Sequence, residues 1–329
     1  MNKHFIHLIL IVCLVLLMQP TCLNAKTYIV GDGTYTSIQA AVDDASDGDE
    51  IIVKPGEYVE NISVGKPLTI RSESGYTSTT VVAKDSSNSV FRITSDNVTI
   101  QGFSLYGASY YYNSSAIVLE NVARCTIRNN RCGIDVIRQN SSGIYVKDSQ
   151  DNSIRHNICS TNKYYGIYLN YSSNNDIYQN ICILNAKYGI YLQSDSNKNN
   201  IYLNTFIDNQ ISSIQSDVFQ RNYWHSPVPI TYSYNDQLYK SYLGNFYPGH
   251  DDSDTNHDGI SDTIYNYPYF EPYDEFPLSK MHDNYTVQSQ KIKYFDIDNN
   301  ISSKIGDSIL SIDKGRSLIW TAINPSETK

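Results

Sequence analysis

Four oxygen-bearing side chains near the C-terminal end stand at close spacing: Asp254, Asn256, Asp258 and, after Gly259, Asp262. Hard oxygen donors at alternate positions, with a glycine that permits a sharp turn, are what a Ca²⁺ loop requires. The first six positions fit the loop of an EF-hand and Asp262 stands at the ninth, but Tyr265 occupies the twelfth, where the bidentate glutamate belongs. Asp252 offers a further donor from outside the loop, and the flanks lack helical periodicity. The pattern predicts a stand-alone structural calcium loop, with a solvated acidic turn as the alternative.

A second group is aromatic. Tyr145, Tyr168 and Tyr191 each close a Gly-Ile-Tyr triplet, and Tyr165 and Tyr188 sit three residues before the last two. If the isoleucines point inward, period-two alternation turns these tyrosines outward. Aromatic faces beside amides and hydroxyls suit sugar rings, which are part apolar and part hydrogen bonding. The competing reading is that stacked tyrosines only stabilise parallel sheets.

Catalysis would need carboxylates gathered on one face. Glycosidases hold two about 5–10 Å apart, and a lyase of acidic polysaccharide needs acidic Ca²⁺ ligands with a basic Arg or Lys. The candidates are Asp148 with Lys147 and Arg155, then Asp176 and Asp195. Aligned by coil, Asp148 falls opposite Tyr171 and Ser194, and His156 opposite Gln179 and Leu203, so no acidic or histidine file forms. The pattern favours binding over catalysis, with a polysaccharide lyase or glycoside hydrolase as the alternative.

These residues are set out by a repeat. Gly143-Ile144-Tyr145, Gly166-Ile167-Tyr168 and Gly189-Ile190-Tyr191 follow one another at 23-residue steps. An independent landmark, Ile154 with Asn157, Ile177 with Asn180 and Ile201 with Asn204, keeps steps of 23 and 24. Ile127 with Asn130, and Ile100 before it, continue the series backwards at steps of 27. Self-similarity at such a period marks a solenoid. Within each coil, short alternating stretches read as strands with one buried face, separated by Asn, Ser, Gly and Asp, which tolerate tight corners. The expected fold is all-β: a right-handed single-stranded parallel β-helix with a short N-terminal capping helix.

The expected stacking is specific. Ile127, Ile154, Ile177 and Ile201 form one inward file, and Ile117, Ile144, Ile167 and Ile190 another. Cys132, Cys159 and Cys182 align with Phe206 as small buried hydrophobes; a soft-metal site is the sharper alternative. Asn130, Asn157, Asn180 and Asn204 stack at a corner. Thr36 to Ala45, with Ser37 as helix cap and Ile38, Ala41, Val42 and Ala45 on one face, covers the open end.

The chain of 329 residues carries a net charge of −9, which argues against nucleic acid as a partner. Lys3 followed by the apolar run Phe5 to Met18 reads as a signal peptide over 1–25, cleaved near Leu23-Asn24-Ala25, and too short for a membrane span. The mature chain is expected to be secreted, extracellular or at the cell surface, or periplasmic in a two-membrane host. Asn61, Asn97, Asn113, Asn140, Asn170, Asn284 and Asn300 begin glycosylation triplets, for a host that modifies secreted proteins.

Three stretches, Thr36 to Val42, Gly48 to Val53 and Pro55-Gly56-Glu57-Tyr58, resemble the opening of NosD-like parallel β-helix proteins. The Asn-X-Ile and Gly-Ile-Tyr units look like that family's repeats. Asn222-Tyr223-Trp224, Asp254 to Asp262, Tyr267-Pro268 and Phe276-Pro277-Leu278 are similar to the way its repeats end. The resemblance covers roughly residues 28 to 280. It implies a carbohydrate-related surface protein, and by name a periplasmic copper role in enzyme maturation. Copper needs clustered soft donors, and His156, His225, His250, His257 and His282 make no such cluster in the sequence. The organisation expected is a signal peptide over 1–25, cap and first coil over 26–60, repeats over 61–222, an acidic tyrosine-rich tail over 223–280 and an unassigned extension over 281–329. The expected partner is a polysaccharide or a cell-envelope component.

Overall fold

The computed structural model describes residues 25–109, 114–133, 139–210, 212–216, 222–266, 273–288, 292–295 and 301–304. The apolar leader, Asn113, Tyr267-Pro268, Asn300 and most of the C-terminal extension lie outside them.

The chain is a parallel β-helix of three sheets, with eight, seven and seven strands. Each coil adds one strand to each sheet in turn. The first sheet runs from Thr27–Val30 to Asn200–Tyr202, the second from Gly56–Val59 to Thr205–Ile207, and the third from Ile62–Val64 to Ser212–Ser216. Strand register puts Ile127, Ile154, Ile177 and Ile201 in file, as the repeat predicts, and extends the file back through Ile100. Ile117, Ile144, Ile167 and Ile190 form the second file and Ile214 continues it. Cys132, Cys159, Cys182 and Phe206 form the third. All of these side chains are buried.

The corners are what make the coils stack. Asn130 Nδ2 donates to Asn157 Oδ1 at 3.1 Å, Asn157 to Asn180 at 3.1 Å, and Asn180 to Asn204 at 3.0 Å. Each Oδ1 also accepts the backbone N–H of the asparagine one coil earlier. Two further files do the same at the other corners: Asn152, Asn175, Asn199 and Asn222, and Asn140, Asn162, Asn185 and Asn209. The residue just before a ladder asparagine adopts a left-handed backbone even when it is bulky: His156, Gln179 and Leu203 all have φ of 54°. That conformation costs about 1–2 kcal/mol for a non-glycine residue. The buried amide network offsets it, since leaving those groups unpaired would cost more. His156 is therefore a corner residue.

Glycine begins each Gly-Ile-Tyr triplet for lack of space. A Cβ on Gly166 would lie 2.5 Å from the Gly189 carbonyl oxygen and 2.9 Å from Cys182 Sγ.

Both ends are covered. The helix Ile38–Asp44 buries Ile38, Ala41 and Val42 over the first coil, and Ser37 caps it. The Glu60 carboxylate accepts the Ile38 and Gln39 N–H groups and the Ser37 hydroxyl, placing negative charge at the helix N-terminus. At the far end Asn222 and Asn245 add the last rungs of two ladders. Trp224 and Tyr247 close the core, and Tyr265 stacks on Tyr247 with centroids 3.6 Å apart.

The Asn130 ladder ends on a carboxyl group. Asn245 donates its amide and backbone N–H to buried Asp274, as do the Phe276 N–H and the Tyr247 hydroxyl. Gly244 is required here, because a Cβ would lie 2.1 Å from Asp274 Oδ1. Burial outweighs the four donors and pushes the Asp274 carboxyl up to about 7. The folded chain then holds a proton that the unfolded chain releases near pH 4. This stabilisation is full below about pH 4 and gone above about pH 7. Half-buried His282, held down at about 4 by partial desolvation, acts in the opposite sense and gains stability as pH rises through that window. The Asp274 contribution is therefore read as a difference. The unfolding free energy of the wild type minus that of Asp274→Asn should fall by about 4 kcal/mol from pH 4 to pH 7.5 in denaturant titrations. A difference that does not change with pH would contradict it.

Candidate functional site on the outer face of the third sheet

Outward positions of the third sheet align as Arg92, Val118, Tyr145, Tyr168, Tyr191 and Gln215, one from each successive coil. Beside them run Glu120, Lys147, Asn170 and Gln193. The tyrosines stack along the axis: Tyr145 on Tyr168 with centroids 4.5 Å apart, Tyr168 on Tyr191 at 5.3 Å, and Tyr165 on Tyr188 at 5.9 Å. Their faces are less open than the sequence suggests. Tyr145, Tyr165 and Tyr168 keep only 3%, 8% and 9% of their surface, because neighbouring rings cover one another. Tyr188 and Tyr191 stay half-buried. The Lys187 ammonium lies 5.0 Å from the Tyr164 ring centre and 5.8 Å from that of Tyr165. Aromatic stacking accordingly stiffens this sheet, and the hydroxyls join it to the neighbouring polar file: that of Tyr168 donates to Gln193 Oε1 and that of Tyr145 accepts from the Asn170 amide.

The concave part of the face begins where the tyrosines end. A groove of about 280 Å³ is lined by Ser87, Asn88, Ser89, Arg92, Val118, Glu120, Tyr145 and Lys147. Glu120 is its centre. Lys147 Nζ donates to Oε1 at 2.7 Å, while Arg92 Nε and Nη2 both donate to Oε2. The bond from Lys147, then Arg92, holds the Glu120 carboxyl below its usual range. It therefore stays ionised, unlike a general acid, whose pKa must lie near the working pH. Glu120 in turn raises the Lys147 ammonium. Sequence reading named Lys147 and Asp148 but missed Arg92 and Glu120. Asp148 Oδ2 stands 4.0 Å from Lys147 Nζ, outside the lining of the groove.

Asp176 faces out from the first sheet, a different face. It accepts from Asn200 Nδ2 at 2.7 Å, and burial, with help from Asp151, raises its carboxyl above the usual range. Asp195 is exposed.

In the tail, Asp254 accepts the Asp258 and Gly259 N–H groups, and Asp262 accepts that of Thr255. Asp258 accepts the Ile260 N–H and the Asn256 amide. Hydroxyls of Tyr232, Tyr239 and Tyr285 clamp the loop through the carbonyls of Asp258, His257 and Gly259. Tyr265, at the missing ligand position, is the ring stacked on Tyr247, and Asp252 pairs with Lys280 at 3.0 Å. Among the described residues, no three His, Cys, Asp or Glu side chains converge as a metal site.

Two glycosylation triplets begin with an asparagine whose amide serves the fold. Asn140 is a buried ladder residue, and the Asn61 amide donates to the carbonyls of Asp85, Asn88 and Ser89. Asn97 and Asn284 are exposed.

Residues 26–252 match the NosD family, described as periplasmic copper-binding protein. The chain belongs to the NosD family. A cell surface glycoprotein of Methanothermus fervidus is 44% identical over 99 residues, which make up 30% of this chain and 15% of that protein. The catalytic domain of a GH87 α-1,3-glucanase in complex with nigerose superposes with a TM-score of 0.50 at 18% identity, covering 60% of this chain and 38% of that one. An alginate lyase from Paenibacillus sp. str. FPU-7 gives 0.44 at 17% identity, covering 60% and 75%. At such identities the likeness is one of fold.

Copper does not fit the donors described here. The three-cysteine file lies in the apolar core, where burial pushes the Cys132 and Cys182 thiols well up. No His or Met is interleaved with it in the strand register. All four described cysteines, Cys125 included, are free and buried. A chain beginning at Lys26 should show no thiol reacting with Ellman's reagent at pH 8 while folded, and four in guanidinium. Rapid reaction of the folded chain would place the cysteines at an accessible site instead.

Proposed function

We propose that this NosD-family chain is an extracellular or envelope β-helix protein that binds carbohydrate, without cleaving it, along the outer face of the third sheet. The observation that carries this reading is the continuity of that face. A groove of about 280 Å³ with Arg92, Glu120 and Lys147 opens onto the wall made by Tyr145, Tyr168 and Tyr191. The volume suits a sugar ring, the polar groups can fix its hydroxyls, and the ring edges supply apolar contact. The kinship with a cell surface glycoprotein and the family's periplasmic description support the location. No helix among the described residues is long and apolar enough to cross a membrane.

Binding is favoured over catalysis because the carboxylate in the groove is held ionised between two cations. The enzymatic alternative has its own support at Asp176, whose carboxyl is raised, near Asp151. We keep calcium as a proposal for the Asp254 loop. Its carboxylates would exchange their bonds to loop amides for the ion, and the ion would lock the tail onto the helix end.

A glycan array scored for both retention and cleavage, in CaCl₂ and in EDTA, separates these readings. The expected result is retention without new reducing ends, lost by about tenfold or more on Tyr191→Ala, and a thermal midpoint raised by CaCl₂. Cleavage that disappears in Asp176→Asn would establish the enzyme instead, and a midpoint indifferent to calcium would remove the ion.

A further inference from the structure

Resting on that reading of the third sheet, we infer that the groove selects a sugar carrying an anionic group, a carboxylate or a sulfate, over its neutral counterpart. The groove holds two cations and one carboxylate. Glu120 spends each oxygen on one cation, Oε1 on Lys147 and Oε2 on Arg92. The lining is thus left with one unit of positive charge and an excess of donors. Guanidinium carries five N–H groups and ammonium three, and Glu120 takes only two of the first and one of the second. The Arg92 side chain remains 57% exposed and that of Lys147 35%.

The other polar groups of the lining do not reverse this balance. Asp85 lies outside the groove and turns its carboxylate onto Ser87 and Asn88. Asp148, also outside the lining, stands beyond Lys147 at 4.0 Å. Glu120 positions the donors: it fixes two long, flexible side chains side by side, so a ligand oxyanion meets a preformed pair. Preorganised cations of this kind form the stronger, charge-assisted hydrogen bonds. Tyr145, which lines the same groove with its ring stacked on Tyr168, gives the sugar ring an apolar edge. A neutral sugar would meet these donors with hydroxyls alone.

The net charge of −9 repels a polyanion at long range, so selection must arise at contact. At physiological ionic strength, charges beyond about 8 Å are largely screened, and the preference should persist there. The test uses the full chain and four immobilised ligands: hexagalacturonate, its methyl ester, neutral hexagalactose and a sulfated form of that hexagalactose.

At 0.15 M salt, hexagalacturonate should bind at least about tenfold tighter than its methyl ester, or the sulfated form tighter than the neutral one by the same factor. The tighter of the two anionic forms names the anion. Arg92→Gln, which leaves the Lys147–Glu120 pair in place, should collapse that ratio toward one, weakening the anionic ligand by about tenfold or more and its neutral counterpart, which meets the same donors with hydroxyls alone, by much less. Lys147→Gln should do the same, which keeps the test independent of either variant's folding. Equal binding of the charged and neutral forms, or an unchanged ratio in both variants, overturns the selectivity alone. Failure to retain any of the four, neutral or charged, overturns the glycan reading of the face with it.

Discussion

A solenoid has to satisfy its backbone at the corners, where strands end and the ladder of sheet hydrogen bonds stops. Buried amide groups left unpaired there would be too costly to tolerate. Here the side-chain amide of asparagine takes the place of the missing strand. Its oxygen accepts a main-chain N–H one coil before, its nitrogen passes a hydrogen bond to the coil after, and the unit repeats along three edges. This fixes the coil spacing, and the coil spacing in turn stacks the isoleucines, the cysteines and the tyrosines. The left-handed residues before these asparagines show how strongly the arrangement is imposed, since even Leu184 and Leu203 accept it.

The ends follow from the same constraint. A ladder must finish on something, and at the C-terminal end Asn245 hands the series on to the Asp274 carboxyl. The tyrosine-rich tail then serves two purposes. It shields the open core with Trp224 and Tyr247, and its own small apolar cluster around Tyr232, Tyr234, Leu243 and Leu278 holds the acidic loop in place.

Period and alternation made much of this legible. Two landmarks repeating at 23 residues suffice to align the isoleucine and cysteine files and the Asn130 corner. The Asn152 and Asn162 corners were equally present at steps of 23 and 24, but they begin no conspicuous triplet and went unread. The groove was harder. Arg92 and Glu120 lie 28 residues apart, in a part of the helix where the coils lengthen, so pairing them needs a strand register that counting does not supply. The tyrosines were placed correctly by pattern, yet their burial depends on which faces the neighbouring rings cover. No single-coil reading contains that information. The Asp254 loop shows the opposite limit, for its ligand-like spacing is also what a turn needs to cap its own amides.

The corner ladder is tested most directly by native-state hydrogen exchange. The amides of Asn130, Asn157 and Asn180 have side-chain oxygens of the next coil as acceptors. They should exchange as slowly as the strand amides of Ile127, Ile154 and Ile177 beside them. Exchange at the rate of exposed loops, with the strands still protected, would show that the corners are open to water and that something other than the asparagine files holds the coils together.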